Sequence, residues 1–174
     1  MAILKIAKMG HPVLRQVAEP IDDPTLPEVL QLAGDMMETL EDIGGAGLAA
    51  PQVHAPRRLV MFHVPAGRGD DVLVPLTILA NPVIEPLGDE TAWDWEGCLS
   101  VPGLRGLVRR PARIRYSGYG LDGQKIEREA DGFHARVVQH ECDHLDGVLY
   151  PQRMDDLTKL IFESEFRFHL QETM

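Results

Sequence analysis

The segment Gln139-His140-Glu141-Cys142-Asp143-His144 says most about the fold of this chain. His140 and His144 are four residues apart, so on a helix both imidazoles project from one side, one turn apart, and can reach a single metal ion. Glu141 follows the first histidine and can handle a proton of a water molecule at that ion. The segment predicts a helix with two metal ligands and a general base, and it leaves the third ligand open.

Composition is that of an ordinary soluble domain. The chain has 174 residues, 44% of them hydrophobic and 25% charged, which predicts a single globular domain over residues 1–174. It contains no apolar run long enough to cross a bilayer, so no membrane association is expected. The first residues, Met1-Ala2-Ile3-Leu4-Lys5-Ile6, do not resemble a secretion signal, which favours a cytoplasmic protein.

The net charge of −10 argues against general affinity for DNA or other nucleic acid, because such affinity depends on neutralising phosphates. Cys98 and Cys142 could form one disulfide. Without a secretion signal, metal ligation or simple burial is the favoured interpretation of these cysteines.

Hydrophobic periodicity predicts two helices besides the histidine-bearing one. The first covers residues 24–43 and ends at Gly44 and Gly45, with a start at a Thr25/Glu28 capping box or at Asp23. The second covers Met154 to about Leu170.

Between these helices the pattern favours strands. The expected strands are Leu59–Val64, Val72–Ala80 with a turn or bulge at Asn81-Pro82, Arg113–Leu121, and a hairpin partner at 124–130. The histidine helix opens at Asp131 or Gly132, and Gly147 can end it. One helix, several strands and further helices without regular βαβ alternation predict an α+β fold.

Two kinds of residue could supply the third metal ligand. Glu163 or Glu165 could do so from a later helix, as in a large class of zinc metallopeptidases. Cys98 in Glu96-Gly97-Cys98-Leu99-Ser100 is the other candidate, because a thiolate is a strong ligand for Zn²⁺ or Fe²⁺ and a His₂Cys set leaves one position open. An isolated cysteine of this kind could also be a core residue.

A glycine-rich segment follows the first helix: Gly45-Ala46-Gly47-Leu48-Ala49-Ala50-Pro51-Gln52. It is not a dinucleotide fingerprint, because Ala50 takes the place of the third glycine, and no Gly-Lys-Ser/Thr follows to make a phosphate loop. The segment offers backbone groups to an extended ligand, and Gln52 has a side-chain amide that can donate to an oxyanion.

The three segments taken in order resemble the peptide deformylase family. The matching patterns are Gly-x-Gly-x-Ala-Ala-x-Gln, Glu-Gly-Cys-Leu-Ser and Gln-His-Glu-x-Asp-His-Leu-x-Gly, and Gly10-His11-Pro12-Val13-Leu14-Arg15 resembles the family's N-terminal start. The resemblance runs from about Ile3 to Met154. It implies antiparallel sheets packed around a central metal-binding helix, with an N-terminal and a C-terminal helix.

The resemblance implies hydrolysis of the N-formyl group of the N-terminal formyl-methionine of nascent proteins, with release of formate. Cys98, His140 and His144 would then hold one divalent metal ion, usually Fe²⁺ in the family, with Zn²⁺, Ni²⁺ or Co²⁺ in preparations. Glu141 would act as general base and then general acid. Gln52 and the backbone N–H of Leu99 would stabilise the oxyanion.

The substrate would lie as an added strand along the backbone of Gly45 and Gly47. Phe133 and Val137, on the same helix face as the histidines, are candidates for the methionine pocket, with core packing as the alternative interpretation. Arg105 lies where the family carries an arginine, and it could equally be a solvated charge at a strand end.

Ribosome contact is a further partner that the resemblance raises. Some family members dock through a basic C-terminal helix, but residues 153–174 contain three Lys/Arg against five Asp/Glu, so this tail does not favour stable docking on RNA. A run of arginines in the acidic chain could attract the ribosome or could form a solvated sheet face. It comprises Arg105, Arg109, Arg110, Arg113 and Arg115.

Two rival functions remain at this stage. One is a zinc metallopeptidase with Glu163 or Glu165 as its third ligand. The other is a metal-stabilised module that binds formyl peptides without turnover, although Glu141 and Gln52 argue against it because a binding module needs no proton shuttle.

Overall fold

A five-stranded antiparallel sheet forms the centre of the computed structural model, which describes residues 2–65 and 73–169. Its strand order is β1-β2-β3-β6-β7. The strands are β1 (Gly47–Ala49), β2 (Leu59–Val64), β3 (Val74–Pro86), β6 (Arg113–Tyr119) and β7 (Lys125–Asp131). A second antiparallel sheet has the order β4-β5-β8. It consists of β4 (Thr91–Cys98), β5 (Val101–Pro111) and β8 (Leu160–Phe162).

Two helices cover opposite faces of the five-stranded sheet. Side chains alternate between the faces of a strand, so Leu59 and Met61 of β2 pack with α1 (Pro27–Ile43), while Val60 and Phe62 pack with α2 (Gly132–Leu145). Burial on both faces explains why the first four residues of β2, 59–62, are all apolar. The predicted α+β fold, with antiparallel sheets around the histidine helix, is confirmed.

Helix boundaries differ from expectation where local hydrogen bonds intervene. The α1 helix starts at Pro27 rather than at residue 24, because Asp23 Oδ1 accepts hydrogen bonds from the Thr25 backbone N–H (2.8 Å) and hydroxyl (2.7 Å) and so forms a turn before the helix. The predicted start of the helix at a Thr25/Glu28 capping box is therefore wrong. The predicted end is correct, since Gly44 has a left-handed conformation with φ of 73°.

The predicted packed helix from Met154 to about Leu170 is wrong. This part of the chain forms a 3₁₀ turn (Leu157–Lys159), the strand β8, a second 3₁₀ turn (Glu163–Glu165) and a four-residue helix, α3 (Phe166–His169). β8 pairs with the edge of β5, where Arg105 lies opposite Ile161. Leu170 itself lies outside the described residues.

Most predicted strands are found close to their expected bounds. β2 matches Leu59–Val64, and the hairpin of β6 and β7 pairs Tyr119 with Lys125. β3 runs to Pro86 and contains the expected bulge, where Asn81 has a φ of 50° and its side chain bonds the backbone of Ile21. Val72 lies outside the described residues.

Within residues 2–65 and 73–169, no helix is long and apolar enough to cross a membrane.

Candidate metal centre

One side chain of β4 and two of α2 meet at one point between the sheets. Cys98 is the last residue of β4, and His140 and His144 lie one turn apart on α2. One potential ligand atom from each residue lies within 4.8 Å of the other two, and Cys98 Sγ is 3.4 Å from His144 Nε2. Cys98 and Cys142 are both free, so the chain has no disulfide between them.

This cluster fits a tetrahedral metal ion. Metal–sulfur and metal–nitrogen bonds of about 2.3 and 2.0–2.1 Å at a tetrahedral angle place S and N about 3.5 Å apart. The observed 3.4 Å between Cys98 and His144 agrees with that spacing. In the described ranges the only cluster of potential ligands of this kind is Cys98, His140 and His144, and Glu163 instead forms an ion pair with Arg105 at 2.6 Å.

The environment also favours the ligand form of Cys98. Burial opposes ionisation of the thiol, but the charge of His144 and hydrogen bonds with both histidines outweigh it and lower the pKa of Cys98 well below its usual value. A thiolate is the form in which cysteine binds metals. By contrast, burial raises the pKa of Cys142, which lies among apolar core residues.

Glu96 orients His140 from behind and was missed by sequence reasoning. His140 Nδ1 is 2.8 Å from Glu96 Oε2, which leaves Nε2 to face the metal position. Glu96 is itself held by Arg110 (2.6 and 2.9 Å) and Arg136 (2.7 Å). Burial acts against this carboxylate, but Arg110 and His140 lower its pKa below the ordinary value. Its position two residues before Cys98 was the only signal in the sequence.

Glu141 is a buried carboxyl group beside the cluster. Burial raises its pKa to about 7, despite the opposing charges of His140 and His144. Among the described residues its Oε2 has no hydrogen-bond partner. A pKa near neutrality and an unpaired oxygen suit a group that must both accept and donate a proton.

Gly47 leaves the space that Glu141 occupies. A Cβ at residue 47 would lie 2.7 Å from Glu141 Cδ and 2.8 Å from its Cγ, well inside van der Waals contact. We expect Gly47→Ala to displace the carboxyl group and to lower kcat by roughly 100-fold, since a shift of about 1 Å at a reacting group costs that much. Gly34→Ala is the matched control, because a Cβ there meets nothing within 4 Å. Equal activity of the two variants would show that Glu141 needs no such clearance.

Gln52 and Leu99 lie at the same end of the site. Gln52 is buried, its carbonyl oxygen accepts from the Ala49 N–H (2.9 Å), and its amide nitrogen lies 3.5 Å from Cys98 Sγ and 3.2 Å from Ser100 Oγ. The amide group therefore faces the metal position. Lys8 Nζ donates to the Leu99 carbonyl at 2.9 Å and holds the backbone there, a contact that sequence reasoning did not foresee.

A cavity of about 490 Å³ opens beside these groups. It is lined by every one of the expected substrate-binding residues: Gly45, Gly47, Arg105, Phe133 and Val137. Val137 also belongs to the buried core, so this side chain both lines the cavity and packs in the core. His63 Nε2 lies 2.9 Å from the Gly45 carbonyl and fixes the loop ahead of β1.

The arginine run does not form a basic surface, because each member is paired with a carboxylate. Arg110 is buried between Glu96 and Asp143. The four others form ion pairs at the surface: Arg105 with Glu163, Arg109 with Asp155, Arg113 with Glu129, and Arg115 with Glu85 and Glu129.

Comparison with known proteins agrees with the fold. The profile of the polypeptide deformylase family matches residues 3–160. Peptide deformylase 1 of Bordetella pertussis is 59% identical over 156 residues, which are 88% of this chain and 89% of that protein. A crystal structure of the class I type b peptide deformylase of Acinetobacter baumannii superposes with a TM-score of 0.82 at 36% identity, covering 88% of this chain and all of that one.

A second crystal structure of the Acinetobacter enzyme has Met-Ala-Ser bound. It matches with a TM-score of 0.81 at 36% identity and covers 87% of this chain and 98% of that one. With a family match over most of its length and a relative at 59% identity, this chain belongs to the polypeptide deformylase family.

Proposed function

We propose that this chain removes the N-formyl group from the N-terminal formyl-methionine of nascent proteins and releases formate. One observation carries the proposal: the Cys98, His140 and His144 cluster lies at the end of a cavity, next to the buried Glu141 carboxyl group, whose Oε2 has no hydrogen-bond partner in the part of the chain that the structure describes. Family membership identifies the scissile bond as a formamide. The whole chain, residues 1–174, is proposed to act as one catalytic domain, because β1 of the five-stranded sheet and β4 of the second sheet both line the cavity at the site.

Cys98, His140 and His144 would hold one divalent metal ion, which when bound supplies Lewis-acid polarisation and a water molecule of lowered pKa. Glu141 would take the proton from the attacking water and deliver it to the leaving amine nitrogen. The Gln52 amide and the Leu99 backbone N–H would donate to the oxygen of the formyl group as it gains negative charge. Preorganised donors of this kind contribute roughly 3 kcal/mol each to the transition state.

The substrate peptide is proposed to pair with β1, which is an edge strand of the five-stranded sheet and borders the cavity. Pairing with the backbone at Gly45 and Gly47 makes few demands on peptide sequence, as an enzyme of nascent chains requires. The Met-Ala-Ser peptide in the Acinetobacter structure supports a peptide ligand. The methionine side chain is assigned to the apolar wall formed by Phe133 and Val137.

The test is formate release from formyl-Met-Ala-Ser, with acetyl-Met-Ala-Ser as the control. We expect formate from the first peptide and no hydrolysis of the second. Cleavage of an internal peptide bond would instead indicate a metallopeptidase, and binding of the formyl peptide without formate would indicate a binding module.

Fe²⁺ is the proposed physiological metal, by resemblance to the family, with Zn²⁺, Ni²⁺ or Co²⁺ able to occupy the same ligands. Because thiolate-bound Fe²⁺ is open to oxidation, protein purified without oxygen should lose activity on storage in air, whereas Ni²⁺-loaded protein should keep it. The test measures activity and metal content of both forms over the same days of storage in air. Equal loss of activity in the two forms would count against Fe²⁺.

Metal removal should expose a reactive thiolate at Cys98. Its lowered pKa makes the Cys98 thiolate less sensitive to a fall in pH from 8.5 to 7, over which an ordinary cysteine loses more than about tenfold of its reactivity. We expect iodoacetamide to modify metal-free protein at Cys98 with a smaller loss of rate between these pH values than an ordinary cysteine shows, and added Zn²⁺ to protect it. Cys142, with its raised pKa, should stay unmodified in both forms. Peptide mass spectrometry identifies the modified residue, and labelling of Cys142 before Cys98 would contradict the assignment of Cys98 as the reactive thiolate.

A cytoplasmic location and only a transient contact with the ribosome are proposed. The arginines of the run are each neutralised by a carboxylate, and the tail from residue 153 has more acidic than basic residues. Such a surface does not favour stable binding to RNA.

A further inference from the structure

The C-terminal segment supplies Glu163 to the wall of the substrate cavity and Phe166 to the wall of a neighbouring cavity. β8 pairs antiparallel with β5, and Ile161 lies directly opposite Arg105. Glu163 follows two residues later, so it reaches the same side as Arg105 from a diagonal position. Arg105 Nε and Nη2 both donate to Glu163 Oε1, at 3.0 and 2.6 Å.

Phe166 completes the arrangement. The Arg105 guanidinium lies 5.1 Å from the centre of the Phe166 ring, which meets Trp95 edge-to-face at 5.2 Å. These contacts fix the arginine from two sides. Arg105 therefore has a defined position at the cavity wall, although it is partly exposed.

Arg105 lies where two cavities adjoin. The cavity at the metal centre shares Trp95, Arg105, Phe133 and Arg136 with a second cavity of about 390 Å³. Arg105 also pairs across β4 and β5 with Gly97, the residue before Cys98. A bound strand rises about 3.3 Å per residue, so the second and third residues of a peptide whose formyl group lies at Cys98 come within reach of this arginine.

We propose that Glu163 determines the charge preference of the site for the residues that follow the substrate methionine. This inference rests on the proposed function. Arg105 alone would attract acidic side chains. Glu163 neutralises it, so an acidic substrate residue must compete with Glu163 for the guanidinium, and basic residues are not repelled. The neutral pair would let the enzyme accept nascent chains of either charge.

The experiment compares kcat/KM for C-terminally amidated peptides of the form formyl-Met-X-Ser and formyl-Met-Ala-X, with Glu, Gln or Lys at X. Amidation removes the terminal carboxylate, so that only the side-chain charge varies. In Glu163→Gln we expect the Glu-to-Lys ratio of kcat/KM to rise about fivefold at one of the two positions, the scale of one partly exposed charge pair. In Arg105→Gln, which leaves Glu163 unpaired, the ratio should fall about as much.

Glu165→Gln is the matched control, because it removes the same charge two residues away, from an exposed side chain whose Oε1 accepts a hydrogen bond from the Ser164 hydroxyl at 3.1 Å. Its ratio should equal that of the wild type. The proposal is overturned if Glu163→Gln changes all peptides equally, changes none, or changes the ratio no more than Glu165→Gln does.

Calorimetric binding of Met-Ala-Glu-amide and Met-Ala-Lys-amide to the metal-loaded protein tests the charge selection by Glu163 separately from the proposed hydrolysis. If the wild type releases no formate but Glu163→Gln still shifts the ratio of the two dissociation constants, the proposed function fails and the charge selection stands. If formate is released and neither ratio moves, the charge selection alone fails.

Discussion

Glu141→Gln is expected to keep its metal ion and to lose formate release by about 10²–10⁴-fold in kcat, the usual contribution of a positioned general acid–base group. Glutamine has the shape of glutamate but cannot accept and return a proton. The fold should tolerate the change, because Glu141 Oε2 has no hydrogen-bond partner among the described residues, and burial, which raises the pKa of Glu141 to about 7, disfavours a charge at this position.

The measurement pairs kcat with metal content from elemental analysis of the same preparation. Glu41→Gln, an exposed residue of α1, is the control for the substitution itself and should behave as the wild type. Turnover in Glu141→Gln above about one tenth of the wild-type rate would remove Glu141 from the mechanism. Loss of metal together with activity would assign it to metal binding instead.

Cys98→Ser is expected to lose both metal and activity. A serine hydroxyl is a poor ligand because it stays protonated at neutral pH, whereas the Cys98 environment favours the thiolate. Removing a residue that only orients a ligand weakens metal binding about 10–100-fold, so replacing a ligand should cost at least as much. Dialysis against a metal buffer followed by elemental analysis gives the affinity.

Two controls make this result specific. Cys142→Ala removes the other cysteine, which lies in the apolar core, and should keep the metal. Glu163→Gln should also keep it, because Glu163 pairs with Arg105 outside the cluster. The zinc metallopeptidase alternative requires the reverse pattern, in which Cys98→Ser retains metal and Glu163→Gln loses it.

Local patterns in the sequence predicted those parts of the fold whose cause is local. The spacing of His140 and His144 required a helix, and α2 has the expected start at Gly132. The glycine after Ile43 predicted the end of α1 because a left-handed residue there closes the last turn. The β6–β7 hairpin was predictable for the same reason, since its turn lies between adjacent strands.

The failed prediction at the C-terminus has a non-local cause. Leu157, Leu160 and Ile161 recur at helical spacing, yet residues 160–162 form a strand because β5 offers an unpaired edge to cover. No pattern within the segment reports that edge. Tertiary pairing therefore decided the structure against the periodicity.

The candidate site, like the fold, could be predicted from the sequence only in part. The identity of its chemical groups could be predicted from short motifs, including Cys98 and Gln52 by family resemblance. The roles of Glu96 and Lys8 could not, because Glu96 contacts His140 across 44 residues and Lys8 contacts Leu99 across 91. Nor could the sequence show that the arginine run is neutralised, since its partners come from separate elements.

The two edges of the five-stranded sheet have unequal protection against self-association. The β7 edge carries Lys125, Glu127 and Glu129, charges that oppose pairing with another molecule. The β1 edge borders the cavity and has only three residues, Gly47–Ala49. So short a strand offers a second folded copy too few hydrogen bonds for a lasting ladder, yet a peptide anchored by its formyl end needs no more. Brevity at this edge lets the protein keep an open strand without becoming a template for its own aggregation.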